Sequence, residues 1–108
     1  MGISAVLNIA ASGLQANTRR LAATANNVAN AATPGYNRLE TSLISQPYGG
    51  VSASVSPSNS TTFDDASNVD LGSELIDMKT AEIGYKANAA VFETGADLWD
   101  VLMSIKKD

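Results

Sequence analysis

Catalysis needs groups that converge and whose protonation is tuned, and this chain of 108 residues is poor in them. It has no histidine and no cysteine, which removes imidazole bases and ligands, thiolate chemistry and any disulfide framework. Carboxylates, hydroxyls and lysines remain. Asp64-Asp65 is a carboxylate pair, but it stands in a stretch without periodic support and reads as an exposed acidic loop. Asp97 and Asp100 lie three apart, a spacing that sets both on one helix face, where they could meet a cation. The cluster of oxygen ligands that a calcium loop needs is missing around them. Gly49-Gly50 lacks the following Lys-Ser/Thr of a phosphate loop. No catalytic residue, metal ligand or cofactor site is expected, and the chain reads as one that assembles.

The bulk properties point the same way. Hydrophobic residues are 44% of the chain but aromatics only 6%, and alanine supplies much of the rest. A single domain over residues 1–108 is expected, with a thin core at the small end of what folds alone, so burial by self-association is a natural outcome. The net charge is −4. Residues 1–40 set Arg19, Arg20 and Arg38 against Glu40. Residues 68–108 set eight acids against Lys79, Lys86, Lys106 and Lys107. A slightly basic first half and an acidic last half can attract each other, within or between subunits. The acidic total argues against nucleic acid as a partner. No apolar run approaches the roughly 18 residues of a membrane span. Met1-Gly2-Ile3-Ser4 carries no positive charge and opens no signal peptide. On these rules alone the chain reads as cytoplasmic.

Residues 4–31 read as one helix, about 40 Å long at roughly 1.5 Å per residue. Leu7, Leu14, Leu21 and Val28 recur every seven residues as in a coiled-coil stripe. Ile3, Ala10, Asn17 and Thr24 hold the second seam position. Asn17 is placed at the edge of the stripe facing water, with a register-fixing seam position as the alternative. Ser4 is the expected N-cap, and Gly13 costs about 1 kcal/mol in mid-helix relative to alanine. Residues 36–67 change character. Two strands, 39–45 and 51–56, flank the turn-rich Gln46-Pro47-Tyr48-Gly49-Gly50. This hairpin is too small to stand alone and must pack on the helices or on a neighbour; residues 57–65 read as loop.

Residues 68–107 read as the second helix, capped by Asn68 or Asp70. Asp70 and Glu74 suit its positive end, and Lys106 and Lys107 its negative end. Leu71, Met78, Tyr85, Phe92 and Trp99 recur every seven residues. Leu75, Ala89, Ala96 and Met103 fill the second seam, broken by Glu82. Glu82 and Lys86 are an i, i+4 pair in the favourable order. Gly72, Gly84 and Gly95 weaken the helix locally and predict a kink or late folding. The fold class is therefore mainly α: two long helices with heptad stripes, a helical hairpin or coiled coil, joined by a short β-hairpin and loop.

Between the first helix and the hairpin lies Ala23-Thr24-Ala25-Asn26-Asn27-Val28-Ala29-Asn30-Ala31-Ala32-Thr33-Pro34-Gly35-Tyr36. Its alanines leave room for a close backbone neighbour. Asn26, Asn27 and Asn30 are mediocre helix formers whose amides can bridge to another chain or cap a fraying end. Thr33-Pro34-Gly35 stops the helix. With Ser12-Gly13-Leu14-Gln15-Ala16 and Arg20-Leu21 before it and Asn37-Arg38 after it, this stretch resembles the N-terminal signature of bacterial flagellar axial proteins, the rod, hook and hook-junction subunits. Ser67-Asn68-Val69-Asp70-Leu71 and Tyr85-Lys86-Ala87-Asn88-Ala89 resemble the C-terminal signature of the same family. Glu82-Ile83-Gly84 departs from the Gln-Arg pair that often precedes the tyrosine there.

The resemblance implies that the terminal segments pair as α-helices and line a hollow axial tube. Most members carry larger domains between the signatures; the short insert here resembles the proximal rod type. The implied partners are other rod and hook axial proteins, further copies of this chain in a homo-oligomer, and the flagellar type III export apparatus. The implied place is the periplasmic rod of the basal body, reached without a cleavable signal peptide and without membrane insertion. The expected assembly interface is Leu7, Leu14, Leu21, Val28, Asn26, Asn27 and Asn30 with Leu71, Leu75, Met78, Tyr85, Asn88, Phe92 and Trp99, and the expected turn is Pro34, Gly35 and Tyr36. The alternative is a soluble cytoplasmic adaptor or regulator that mimics rod subunits.

Overall fold

Alanine, leucine and amide residues without an internal proline form the first helix, α1, over Ile3–Ala29. It ends two residues earlier than the spacing predicts. Asn30 leaves helical geometry at φ −103°, ψ 13°, and its amide Nδ2 donates back to the Asn26 carbonyl at 2.9 Å. Gly2 stands at the N-cap with no side-chain capping bond, so Ser4 lies inside the helix and does not cap it. The chain then turns through Thr33-Pro34-Gly35, where Gly35 takes φ +76°, a region that glycine enters at no steric cost.

Strands β1, Leu39–Ser45, and β2, Val51–Pro57, pair antiparallel, with Leu39 opposite Pro57 and Ser45 opposite Val51. The closing turn has both Gly49 and Gly50 at positive φ. The second long helix, α2, spans Leu71–Lys107. It starts three residues later than the spacing predicts. Asp70 is its cap: Oδ1 accepts from the Gly72 N–H at 3.0 Å and Oδ2 from the Ser73 hydroxyl at 3.2 Å.

The computed structural model describes residues 2–107. Met1, Asp108 and the side chains of Lys106 and Lys107 lie outside the described residues, and so does the role expected of those two lysines. The architecture is mainly α, two long helices joined by a hairpin, drawn out to 69 × 24 × 14 Å. The helices run antiparallel. Gly95 faces Val6 and Leu7, Gly13 faces Asn88, and Gly84 faces Asn17. The hairpin packs on α1 and, among the described residues, not on α2.

The seam between the helices is built from small residues. Ala10, Gly13, Ala16, Ala23 and Thr24 are buried on α1, Ala81 and Gly95 on α2, and Ala53 on the hairpin. The largest fully buried side chains are polar, Glu74 and Asn27. Leucine does not fill this seam because the backbones approach too closely. The large apolar residues of both heptad stripes flank it instead: Leu7, Leu14 and Met78 are half-buried, and Leu21, Leu75, Tyr85, Phe92 and Trp99 are exposed.

Two expectations are corrected here. Asn17 does not face water at the edge of a stripe. It is half-buried in the seam, its amide donates to the Gly13 carbonyl at 2.9 Å, and its side chain lies over Gly84. Gly84 and Gly95, expected only as points of local weakness, lie within one continuous helix and are where the opposite helix comes closest. A Cβ on Gly84 would come within 2.8 Å of Asn17 Oδ1, and one on Gly95 within 2.8 Å of Leu7 Cδ2. The arrangement is reciprocal. Asn88 donates to the Gly84 carbonyl at 2.8 Å and covers Gly13, whose added Cβ would collide with the Asn88 amide. A glycine and the asparagine four residues later on each helix thus form one half of a lock.

This lock makes glycine-to-alanine changes diverge. Alanine gains about 1 kcal/mol of helix propensity, but overpacking costs roughly 1–3 kcal/mol. Gly13→Ala and Gly84→Ala are expected to lower the thermal midpoint. Gly72→Ala, whose new Cβ would meet only Asp70 Oδ1 at 3.4 Å, is expected to leave it unchanged or raise it. Thermal melts followed by circular dichroism check this; a rise for Gly13→Ala would remove the lock.

Candidate functional site

Four elements meet at one end of the molecule: the last turn of α1, the turn after it, the start of β1 and the first turn of α2. Asn27 is at the centre, fully buried. Its Nδ2 donates to the Leu39 carbonyl at 2.9 Å and to Glu74 Oε1 at 3.1 Å. Its Oδ1 accepts from the Leu39 N–H and from the Tyr36 hydroxyl, each at 2.7 Å. An asparagine amide has two donors and two acceptor sites, and all four are used. Asn26 donates to the same Tyr36 hydroxyl at 2.8 Å, so the tyrosine is held from both sides.

Glu74 is equally buried. Its Oε1 also accepts from Arg38 Nε at 2.9 Å, while Oε2 has no hydrogen-bond partner. Arg38 reaches Glu40 at 3.0 Å through Nη1 and lies 3.8 Å from Asp77 through Nη2. Asp77 in turn pairs with Arg20 at 3.0 Å. The basic first half and the acidic last half therefore meet through specific pairs. Around them, the Arg38 N–H donates to Asn68 Oδ1 at 2.7 Å, and Asn68 Nδ2 donates to Asn37 Oδ1 at 2.8 Å. Ser58 is buried and donates to the same Asn37 oxygen at 2.6 Å. The Gly35 N–H donates to the Ala66 carbonyl at 3.0 Å and the Asn68 N–H to the Tyr36 carbonyl at 3.2 Å. These bonds lash the approach to α2 against the turn that ends α1.

Of the residues singled out in the sequence, this site gathers Asn26, Asn27 and Tyr36. Asn30 sits one turn on and caps α1, and Pro34 and Gly35 are exposed in the turn. Asn88 lies far along the pair, in the glycine–asparagine lock. Glu74, Arg38 and Asn68 are central, yet spacing alone placed Glu74 only as a dipole partner, Asn68 as a cap and Arg38 as the end of a motif. The available signal was the opposition of charge between the two halves. Asp64, Asp65, Asp97 and Asp100 are exposed, and no group of metal-ligating side chains occurs among the described residues. No helix among them is long and apolar enough to cross a membrane.

The second feature is an apolar groove along one flank of the pair. Leu21 of α1 and Tyr85 of α2 form its walls beside Asn17, Thr18, Ala81, Glu82 and Lys86, with a volume of about 200 Å³. It continues past Leu14 to Arg19. Leu21 and Tyr85 are 42% and 46% exposed, which makes the groove open to a partner. Val28, Leu71, Leu75, Phe92 and Trp99 are likewise exposed. At the rim, Glu82 pairs with Lys86 at 3.0 Å and Lys79 at 3.6 Å. The Lys86 hydrogen bond, with the charges of Lys79 and Lys86, holds the Glu82 carboxyl below its ordinary range.

Removing one side of a buried ion pair strands the other. Glu74→Ala leaves Arg38 Nε and the Asn27 amide without their acceptor and is expected to cost about 3–5 kcal/mol, read by urea denaturation. Tyr36→Phe loses two hydrogen bonds to asparagines and is expected to cost about 1 kcal/mol per bond at most. For Glu82 the sign follows from its lowered folded pKa. Its contribution is present above the ordinary carboxylate value and is lost as pH falls through the lowered one. Lys86→Met is expected to move the Glu82 titration up toward the ordinary value, followed by NMR.

The same N-terminal segment carries the comparison with known proteins. Residues 7–37 match the family described as flagella basal body rod protein. A stretch of 41 residues is 49% identical to the flagellar hook protein FlgE of Brucella suis biovar 1 (strain 1330), covering 38% of this chain and 10% of that protein. A stretch of 43 residues is 42% identical to the flagellar hook protein FlgE of Rhizobium meliloti (strain 1021), covering 40% of this chain and 11% of that one. The match thus spans about a tenth of the length of these curated relatives. Asn27, Tyr36 and the turn between them lie inside the matched residues. Over this segment the chain is similar to the rod protein family and to the flagellar hook proteins.

Proposed function

We propose that this chain is a structural subunit of the flagellar basal-body rod, or of its junction with the hook, and that it self-assembles through its two helices. The observation that carries the reading is the exposure of Leu21 and Val28 on one heptad stripe and of Leu71, Tyr85, Phe92 and Trp99 on the other, on a molecule whose own core is alanine, glycine and polar groups. Contiguous apolar surface of this kind marks interaction sites. The matched family supplies the kind of structure that such helices build. In this reading the polar site at the end of the pair fixes the angle between the helices and the hairpin, and the stripes join neighbouring subunits. Other axial proteins and further copies are its partners, and the flagellar type III apparatus is its route out of the cell.

Two experiments test this. Mass spectrometry of purified hook–basal bodies from the bacterium that encodes the chain is expected to find its peptides at stoichiometric levels. Absence from those bodies, with the protein abundant in the cytoplasm, would turn the reading toward a soluble adaptor. Leu14→Asp combined with Leu21→Asp is expected to abolish incorporation and motility while leaving synthesis intact. Normal motility from that double variant would sink the proposal.

A further inference from the structure

In an antiparallel ladder, residues alternately turn their backbone N–H and C=O toward the partner strand and away from it. The Ser58 N–H donates to the Arg38 carbonyl and the Gln46 N–H to the Gly50 carbonyl, so the even-numbered residues of β1 face β2. Leu39, Thr41, Leu43 and Ser45 of β1 face outward, as do Val51, Ala53 and Val55 of β2. α1 holds the β2 edge: the Val51 N–H donates to Ser12 Oγ at 3.1 Å, and the Ala53 carbonyl accepts from Arg19 at 3.3 Å. Asn27 takes both outward groups of Leu39. Among the described residues, nothing takes those of Thr41, Leu43 and Ser45.

Natural sheets protect such an edge with lysine, proline or a bulge. Residues 41–45 read Thr-Ser-Leu-Ile-Ser in unbroken register with β2 and carry none of these. Leu43 and Ile44 are exposed. Glu40, just outside the open stretch, is paired with Arg38 at 3.0 Å. At one end of the open edge lies a cleft of about 250 Å³, lined by Arg20, Arg38, Asp77 and residues 39–42. At the other end, the hairpin turn carries Tyr48, which is 99% exposed. Cleft and ring stand at opposite ends of β1, roughly 20 Å apart, so they cannot meet within one chain.

We infer that this edge binds the same edge of a second copy, with β1 antiparallel to β1 across a two-fold axis at Leu43. This register uses the whole open stretch. Thr41 falls opposite Ser45 and Leu43 opposite itself, each pair exchanging two backbone hydrogen bonds. The two leucines pack across the axis. Each Glu40 lies opposite Gln46 of the other copy, so like charges stay apart. The same register sets Tyr48 opposite Arg38, and the ring of each copy enters the cleft of the other, against its guanidinium groups. The contact is isologous and closes at two. It leaves the heptad stripes uncovered, and it does not rest on the axial-subunit reading. A ladder over residues 41–45 is small beside the roughly 1,200–2,000 Å² of stable interfaces, which makes the pair weak and reversible.

The chain has no cysteine, so single cysteines report the register. Ser42 of one copy stands opposite Ile44 of the other in a non-hydrogen-bonded pair, close enough for a disulfide. Ser42→Cys and Ile44→Cys chains oxidised together at high concentration are expected to give at least tenfold more disulfide dimer than either chain alone. Leu43→Lys in both chains sets like charges on the axis and is expected to cut that yield at least tenfold. Ser45→Pro, which removes an outward N–H and no bond to β2, is expected to do the same. Tyr48→Ala is expected to cut it several-fold. Circular dichroism melts check that each variant stays folded. Absent dimers, equal yields from mixed and unmixed chains, or a yield that Leu43→Lys and Ser45→Pro both leave unchanged would overturn the inference. Crosslinking of the Ser42→Cys chain only to a different protein would assign the edge to a foreign strand and overturn a second copy as its occupant.

Discussion

The fold depends on a polar interaction placed where a hydrophobic core would normally be. Asn27 and Glu74 are the two largest fully buried side chains, and they bond to each other, to Arg38 and to the backbone of Leu39. A buried polar group is costly unless it is paired. This network is therefore satisfied in one arrangement of α1, β1 and α2 and penalises others. It specifies which elements meet more than it adds net stability, since buried ion pairs often do no more than offset their own desolvation.

The rest of the seam follows the same logic of fit. Two glycines, each covered by an asparagine of the opposite helix, let the backbones approach and set their register. Alanine fills the space that remains. Such an interface buries little apolar area per residue, and area is the main source of hydrophobic stabilisation. The large apolar residues are left on the flanks, where they stabilise the chain only when something else covers them.

That division separates two tasks. Polar and small residues specify the conformation of the chain, and large apolar residues remain on its surface. An exposed apolar flank beside a thin core is a hazard for a protein that works alone. It is the expected surface of one that works with a partner laid against it.

The sequence by itself determined the elements. Two heptad-spaced runs, a Thr-Pro-Gly stop and an alternating pair of strands around Gly49-Gly50 are local patterns, and each becomes the element that its spacing predicts. The signature around Asn26, Asn27 and Tyr36 was also legible, because it is continuous in the chain. What only the tertiary structure decided is which residues face each other. Spacing placed Asn17 at a water-facing edge and took Gly84 for a weak point, because neither has a visible reason until the opposite helix is present. Glu74 looked like a dipole partner because its carboxylate meets Arg38 only after 36 residues of turn, hairpin and loop have folded back. A periodic pattern records which side of a helix is apolar. Which side is packed depends on how closely two backbones approach, and that distance is a property of the pair.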